Sequence, residues 1–276
     1  MTGRARSLDE HRDMKTFWLV ITDLDGTLLD HFTYSMEPAD AITSRLSGMG
    51  IPVIPCSSKT RPEMLEISGK AGLSANPLVI ENGAEIILPD PCEQNIILGS
   101  ERAGIIEALR QMEAELSISL RGFSSLTPEE LAEITGLSTE QARMALAREY
   151  TEPFMVREGP ENVRDMMAKW CAGRDLRLLE GGRFYHLQGT HDKGMALERL
   201  ADIYRAKAGE KEIKTVALGD SSNDFDMLAK ADFPVLVKRH DGTHAPWKGH
   251  DRIYRTEKIG PFGWKEAVKK IILKEV

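Results

Sequence analysis

The chain has 276 residues, long enough for one large domain or a core with a smaller companion. Its content of 41% hydrophobic and 29% charged residues is that of a folding globular chain rather than a disordered one. A net charge of −7, from 36 basic against 43 acidic residues, offers no broad positive field for a nucleic-acid backbone, although a few local cations can still hold a small anion. No apolar run approaches the roughly 18 residues of a membrane span.

Residues 1–16 are polar and mixed in charge, without the apolar stretch of a secretory signal, and read as a flexible N-terminal extension. Short apolar runs follow at Trp18 to Thr22, Ile51 to Cys56 and Leu78 to Ile80, and again at Thr215 to Leu218 and Val235 to Val237. Between the first two, Ala39, Ile42, Leu46 and Met49 share one helical face, with Pro38 near the start and Gly50 just past the end. After the second, Pro62 suits the first turn of a helix carrying Met64, Ile67 and Ala71. Strands alternating with helices predict an α/β fold with a largely parallel sheet.

From about Pro89 to Gly182 helical segments dominate. Ile105, Ile106, Leu109, Met112 and Leu116 form an apolar stripe. Thr127 before Glu130 and Ser138 before Gln141 have capping-box spacing, so two helices should start there. Short strands are expected near Phe154 to Val156, Leu176 to Leu179 and Arg183 to Leu187. A helix from about Lys193 to Ala208 then restores the alternation. The expected organisation is a discontinuous core, 17–88 with 187–276, interrupted by a smaller α+β module at 89–186. Cys56, Cys92 and Cys171 are too scattered for a disulfide framework or zinc site; each reads as a small buried residue in a reducing cytoplasm.

In an open parallel sheet ligands bind beyond the carboxyl ends of strands. There the sequence puts Asp23 and Asp25, then Ser57 and Ser58, then Glu81 and Asn82, then Gly219 and Asp220. Asp224 follows four residues after Asp220. So many carboxylates at one edge would repel one another unless a hard divalent cation, magnesium being the natural candidate, sat among them. Taken singly each aspartate is also compatible with a turn or helix cap. Calcium-loop spacing fails at both segments, and neither a P-loop nor a complete dinucleotide fingerprint occurs. A metal cluster of His186, His191, His240, His244 and His250 is disfavoured, and loop positions are expected for them.

Asp23-Leu24-Asp25-Gly26-Thr27 resembles the first motif of the haloacid dehalogenase superfamily of phosphatases, and Gly219-Asp220-Ser221-Ser222-Asn223-Asp224 resembles its last. Ser57 and Lys193 match the hydroxyl and lysine of the second and third motifs, in the right order. The segments CSSKTRPEM, IENGAEI, GGRFYHLQGTHDKG and GDSSNDFDML resemble one family within it, the mannosyl-3-phosphoglycerate phosphatases.

The resemblance implies a Rossmann-like core with an inserted C2-type α+β cap. It also implies a magnesium-dependent phosphomonoesterase that releases phosphate from mannosyl-3-phosphoglycerate or a similar glycosyl ester, yielding a compatible solute. Asp23 is then the nucleophile, and Asp25 the acid and base. Ser57 holds a phosphoryl oxygen and Lys193 neutralises charge; the bland alternatives are a helix cap for Ser57 and a solvated cation for Lys193. Magnesium would take Asp23, the backbone carbonyl of Asp25 and Asp220, with Asp224 as ligand or orienter. Thr27 is expected only to hydrogen-bond its own turn. Ser58, Lys59, Asn82, Arg183 and Asn223 are the expected substrate contacts, and Arg61 is another cation able to reach a carboxylate, unless these arginines serve in ion pairs. The competing functions are a broader sugar-phosphate phosphatase, a phosphomutase, or a non-catalytic phosphate-ligand sensor.

Overall fold

The structure, a computed structural model, describes residues 16–275 apart from Gly182 and His250; the N-terminal extension up to residue 15, and His250, lie outside the described residues. The strands in chain order are β1 (Thr16–Thr22), β2 (Val53–Pro55), β3 (Leu78–Ile80), β4 (Glu85–Ile87), β5 (Ile96–Ile97), β6 (Ser119–Gly122), β7 (Thr151–Glu158), β8 (Arg177–Gly181), β9 (Phe184–Gln188), β10 (Glu212–Gly219), β11 (Phe233–Lys238) and β12 (Tyr254–Ile259). The chain packs into two compact units, one taking residues up to Pro55 and from Gly194 onward, the other Cys56–Lys193. The expected insert at 89–186 falls inside the second unit, which also takes in 56–88 and 187–193.

The first unit is built on a five-stranded sheet, β12-β11-β10-β1-β2, parallel at every pairing. Leu19, Val20 and Ile21 of β1, Val216 to Leu218 of β10 and Val235 to Val237 of β11 are all buried. A sheet covered on both faces needs unbroken apolar runs rather than alternation, which is why these strands are conspicuous in the sequence. The chain leaves β1 through helix Asp40–Gly48 to β2 on one side and later returns in β10 on the other. Loops therefore diverge between β1 and β10, the topological switch point of the sheet.

The second unit holds two antiparallel sheets, β3-β4-β5 and β6-β7-β9-β8. Leu78 to Ile80, read as one more strand of the parallel series, instead pairs antiparallel with β4 and meets the preceding run only through a Cys56–Val79 bridge. The turn Glu81–Gly83 reverses the chain directly into β4, and a connection so short can join only antiparallel neighbours. Phe154 and Leu187 on one face of the larger sheet pack against Ile105, Leu109 and Met112 of helix Arg102–Leu116 and against Met167 and Trp170 of helix Val163–Cys171. Helices Pro128–Thr135 and Thr139–Leu146 begin at the two expected capping boxes. Thr127 Oγ1 accepts from Glu130 N at 3.2 Å, and Ser138 Oγ from Gln141 N at 3.2 Å.

His191 is wholly buried in this unit; its Nε2–H donates to the Glu81 carbonyl at 3.2 Å, and its Nδ1 has no hydrogen-bond partner. Burial is the main reason its pKa drops from the ordinary 6.5 to about 4. The unfolded chain therefore takes up the proton first, so this contribution to stability is complete above about pH 6.5 and is lost as pH falls toward about 4. Chemical denaturation at pH 7 and pH 5 should show His191→Gln losing about 2 kcal/mol less stability over that interval than the parent. Equal losses would rule out His191 as the source of acid sensitivity.

Candidate active site

Asp23 follows β1 directly, and its N–H donates to the Leu218 carbonyl of β10 at 2.8 Å, extending the ladder by one residue. The Thr22 hydroxyl donates to the Asp23 carbonyl at 2.7 Å and accepts the indole N–H of buried Trp264 at 3.0 Å, which fixes this strand end from beneath. At the end of β10 the N–H groups of Asp220 and Ser221 each donate to Asp224 Oδ2 at 3.0 Å, closing the turn ahead of helix Phe225–Lys230. The consequence is convergence: one carboxylate oxygen from each of Asp23, Asp220 and Asp224 lies within 4.8 Å of the other two. Their exposures are 5%, 9% and 0%.

Two glycines make room for this crowding. Gly26 sits at φ +75°, where a side chain is strained, and a Cβ there would stand 3.0 Å from Asp220 Oδ2. At Gly219 a Cβ would meet the Asp224 Cβ at 2.4 Å. Like charges at such separations repel by on the order of 3–4 kcal/mol per pair even with an effective dielectric near 20. A compact set of hard oxygen donors, little exposed and mutually repelling, fits a small divalent cation such as magnesium. Among the described residues no histidine joins a group of this kind. His240 stacks on His31 at 4.1 Å, and His244 Nε2 donates to the Thr256 carbonyl at 3.1 Å.

The remaining first-unit residues sit around this edge. Asp25 is half-buried, bridges to Leu29 through its backbone, and contributes no carboxylate to the trio. Asn223 Oδ1 accepts from the Ser221 hydroxyl at 2.8 Å. Thr27 bonds its own turn as expected, through its N–H to Leu24 O at 3.1 Å, while its side chain is wholly buried and its hydroxyl has no hydrogen-bond partner.

In the second unit Ser57 is buried, donating its N–H to Val79 O at 3.0 Å and accepting Asn82 N–H at 2.9 Å. The N-cap of helix Arg61–Lys70 is Thr60, so Ser57 is not the cap. Lys193 opens helix Lys193–Lys207 and is wholly buried, which removes the solvated-cation alternative. Asn82 Nδ2 donates to Gln188 Oε1 at 3.2 Å, and Gln188 Nε2 donates to the His191 carbonyl at 2.8 Å. The backbone carbonyls of Ser58 and Lys59 are held as well, by Arg148 at 3.1 Å and Glu81 N–H at 3.0 Å.

Both arginines proposed from sequence for a substrate carboxylate already have protein partners. Arg183 donates to the Ile134 and Thr135 carbonyls at 2.8 and 2.9 Å, satisfying the carboxyl end of helix Pro128–Thr135. Arg61 bonds Glu149 at 2.9 Å and Glu85 at 2.5 Å, and the Glu149 bond chiefly raises its pKa further. Sequence reasoning gave no role to Arg148 or Glu81. A charged residue placed directly after the buried Leu78 to Ile80 run was the available signal for Glu81.

A family model described as haloacid dehalogenase-like hydrolase matches residues 20–130. The chain is 36% identical over 267 residues to a glucosyl-3-phosphoglycerate/mannosyl-3-phosphoglycerate phosphatase of Methanococcoides burtonii, covering 92% of this chain and 97% of the relative. A protein of the same description from Persephonella marina is 32% identical over 271 residues, with 92% and 97% covered. A haloacid dehalogenase-like hydrolase structure from Bacteroides thetaiotaomicron superposes with TM-score 0.66 over 93% of this chain and all of that one, at 17% identity, and so supports the fold. Whole-length likeness to these relatives, joined to the fold, shows that the chain belongs to the haloacid dehalogenase-like hydrolases, as an enzyme of their phosphatase branch.

Proposed function

We propose that the protein is a magnesium-dependent phosphatase that hydrolyses mannosyl-3-phosphoglycerate, or the closely similar glucosyl ester, to the glycosylglycerate and phosphate. The observation that carries this reading is the buried Asp23, Asp220 and Asp224 trio at the switch point of a parallel sheet. The two relatives, whose names join glucosyl- and mannosyl-3-phosphoglycerate, support the choice of ester. Among the described residues no helix is long and apolar enough to cross a membrane.

Asp23, Asp220 and Asp224 would hold the cation with the Asp25 carbonyl, and the bound ion would lower the repulsion between carboxylate and phosphoryl group. A carboxylate oxygen of Asp23 attacks phosphorus in line, the bond to the ester oxygen breaks, and an aspartyl phosphate results. Asp25 gives its proton to the departing alcohol oxygen. It then takes a proton from the water that attacks the acyl phosphate, restoring Asp23 and releasing phosphate. Ser57 and Lys193, by their places in the second and third motifs, are assigned to a phosphoryl oxygen and to its charge. Ser58, Lys59, Asn82 and Asn223 are proposed to contact substrate. Arg183 is proposed to read the glycerate carboxylate only after releasing the helix end that it now satisfies.

Three measurements test this. With magnesium present, a panel of phosphate esters compared by kcat/KM should place mannosyl- or glucosyl-3-phosphoglycerate well above simple hexose phosphates; equal rates would point to a broad sugar-phosphate phosphatase. Asp23→Asn should fold normally yet lower kcat by about four orders of magnitude and form no phosphoenzyme; a phosphoryl group trapped on another residue would displace Asp23 as nucleophile. Gly219→Ala should push Asp224 aside and weaken magnesium binding by about 10- to 100-fold in a calorimetric titration, whereas an unchanged affinity would mean that Asp224 plays no part in holding the ion.

A further inference from the structure

Glu81 lies at the crossing of several segments of the second unit, and its side chain is wholly buried. Glu81 Oε1 accepts the Glu149 N–H at 2.7 Å. Its Oε2 accepts the Tyr150 N–H at 3.2 Å, the Thr151 N–H at 2.9 Å and the Thr151 hydroxyl at 2.6 Å. The Arg148 guanidinium stands 3.9 Å from Oε2. The four hydrogen bonds all need an acceptor and use both carboxylate oxygens, so a side-chain amide of the same size cannot satisfy them all.

The backbone of the same residue faces the other way. Glu81 N–H donates to Lys59 O at 3.0 Å, Glu81 O accepts from His191 at 3.2 Å, and Asn82 N–H donates to Ser57 O at 2.9 Å. Glu81, Asn82 and Gly83 have φ of +44°, +61° and +97°, so three consecutive residues hold the left-handed region that side chains avoid. A Cβ on Gly83 would meet the Asp192 carbonyl oxygen at 2.2 Å and the Lys193 nitrogen at 2.9 Å, so the turn lies flat against the start of the Lys193 helix. Such a strained turn persists only where its surroundings over-determine it.

We propose that Glu81 is a positioning residue. Its buried carboxylate, moored to the Glu149–Thr151 backbone, holds the left-handed turn in the one shape that sets Ser57, Asn82 and Lys193 in mutual register. This rests on the phosphatase reading, in which Ser57 and Lys193 serve the phosphoryl group. Arg148 completes the tie from the other end, since it binds the Ser58 carbonyl at 3.1 Å and the Thr151 hydroxyl at 2.9 Å.

Glu81→Gln is the informative variant, because its amide N–H groups would point at backbone N–H donors. Phe154→Leu, in the apolar core of the same unit, serves as the control for lost stability alone. Assayed well below both melting temperatures with saturating magnesium, Glu81→Gln should lose about 10- to 100-fold in kcat while Phe154→Leu keeps the parental value. Combining Glu81→Gln with Ser57→Ala should cost no more than the worse single change, because both act through the same turn. Full additivity, or equal kcat losses in Glu81→Gln and Phe154→Leu, would overturn the proposal. A crystal structure of Glu81→Gln decides the geometry separately: the Asn82–Ser57 hydrogen bond should be broken, and an unchanged turn would overturn the proposal whatever the activity. Absence of phosphate release by the parent would instead sink the phosphatase reading, leaving the crystal structure to judge Glu81.

Discussion

Mutual repulsion among Asp23, Asp220 and Asp224 is the constraint on which the first unit is arranged. Three carboxylates within 4.8 Å of one another at low exposure oppose one another's approach, so the backbone has to hold them there. Adjacent parallel strands supply the framework: Thr22 pairs with Leu218, so the residues following β1 and β10 emerge side by side. The sheet is locked from below by apolar residues on both faces and by the Trp264–Thr22 hydrogen bond, and cannot relax the aspartates apart by shifting register. Gly26 and Gly219 then remove the side chains that would obstruct them. Sheet order, strand register and glycine placement all bring the three carboxylates to one point.

The second unit buries charge as well, on longer side chains. Glu81, Glu85 and Glu152 are buried there, and each carboxylate is answered by groups of the same unit. Glu152 takes Arg102 at 2.8 Å and the Ser124 N–H at 2.7 Å; Glu85 takes Arg61 and the Tyr150 hydroxyl. With such internal partners the cost of burial is offset on folding, and the network fixes loop geometry.

Legibility in the sequence followed physical contrast. Strands buried on both faces, such as β1 and β10, announce themselves as apolar runs, and the Thr127 and Ser138 capping boxes mark helix starts because the pattern is local. By contrast β5 has only two residues, and in β12 the sequence YRTEKI buries only Thr256, so neither carries a period worth reading. Helix Val163–Cys171 escaped notice although Met167 and Trp170 share its buried side. The acidic trio was readable because each aspartate directly follows a conspicuous strand or turn. Partners of Arg61 and Arg183 were not, since Glu149 lies 88 residues from Arg61, and Ile134 lies 49 residues from Arg183. Long flexible side chains choose their acceptors in three dimensions, and spacing along the chain says nothing about which.

The division of labour between the two acidic residue types follows from side-chain length. An aspartate has two torsions, so its carboxylate lies where the backbone places it; the parallel ladder sets Asp23 and Asp220 side by side, and the turn after β10 adds Asp224. A glutamate carries one more methylene and can cross from its own turn to a neighbouring strand, as Glu81 does in reaching the backbone of Glu149 to Thr151. Exchanging the types would fail in both places. Glutamate at position 23 would carry its oxygens past the crowded edge near Gly26, whereas aspartate at position 81 would fall short of the strand that restrains the turn.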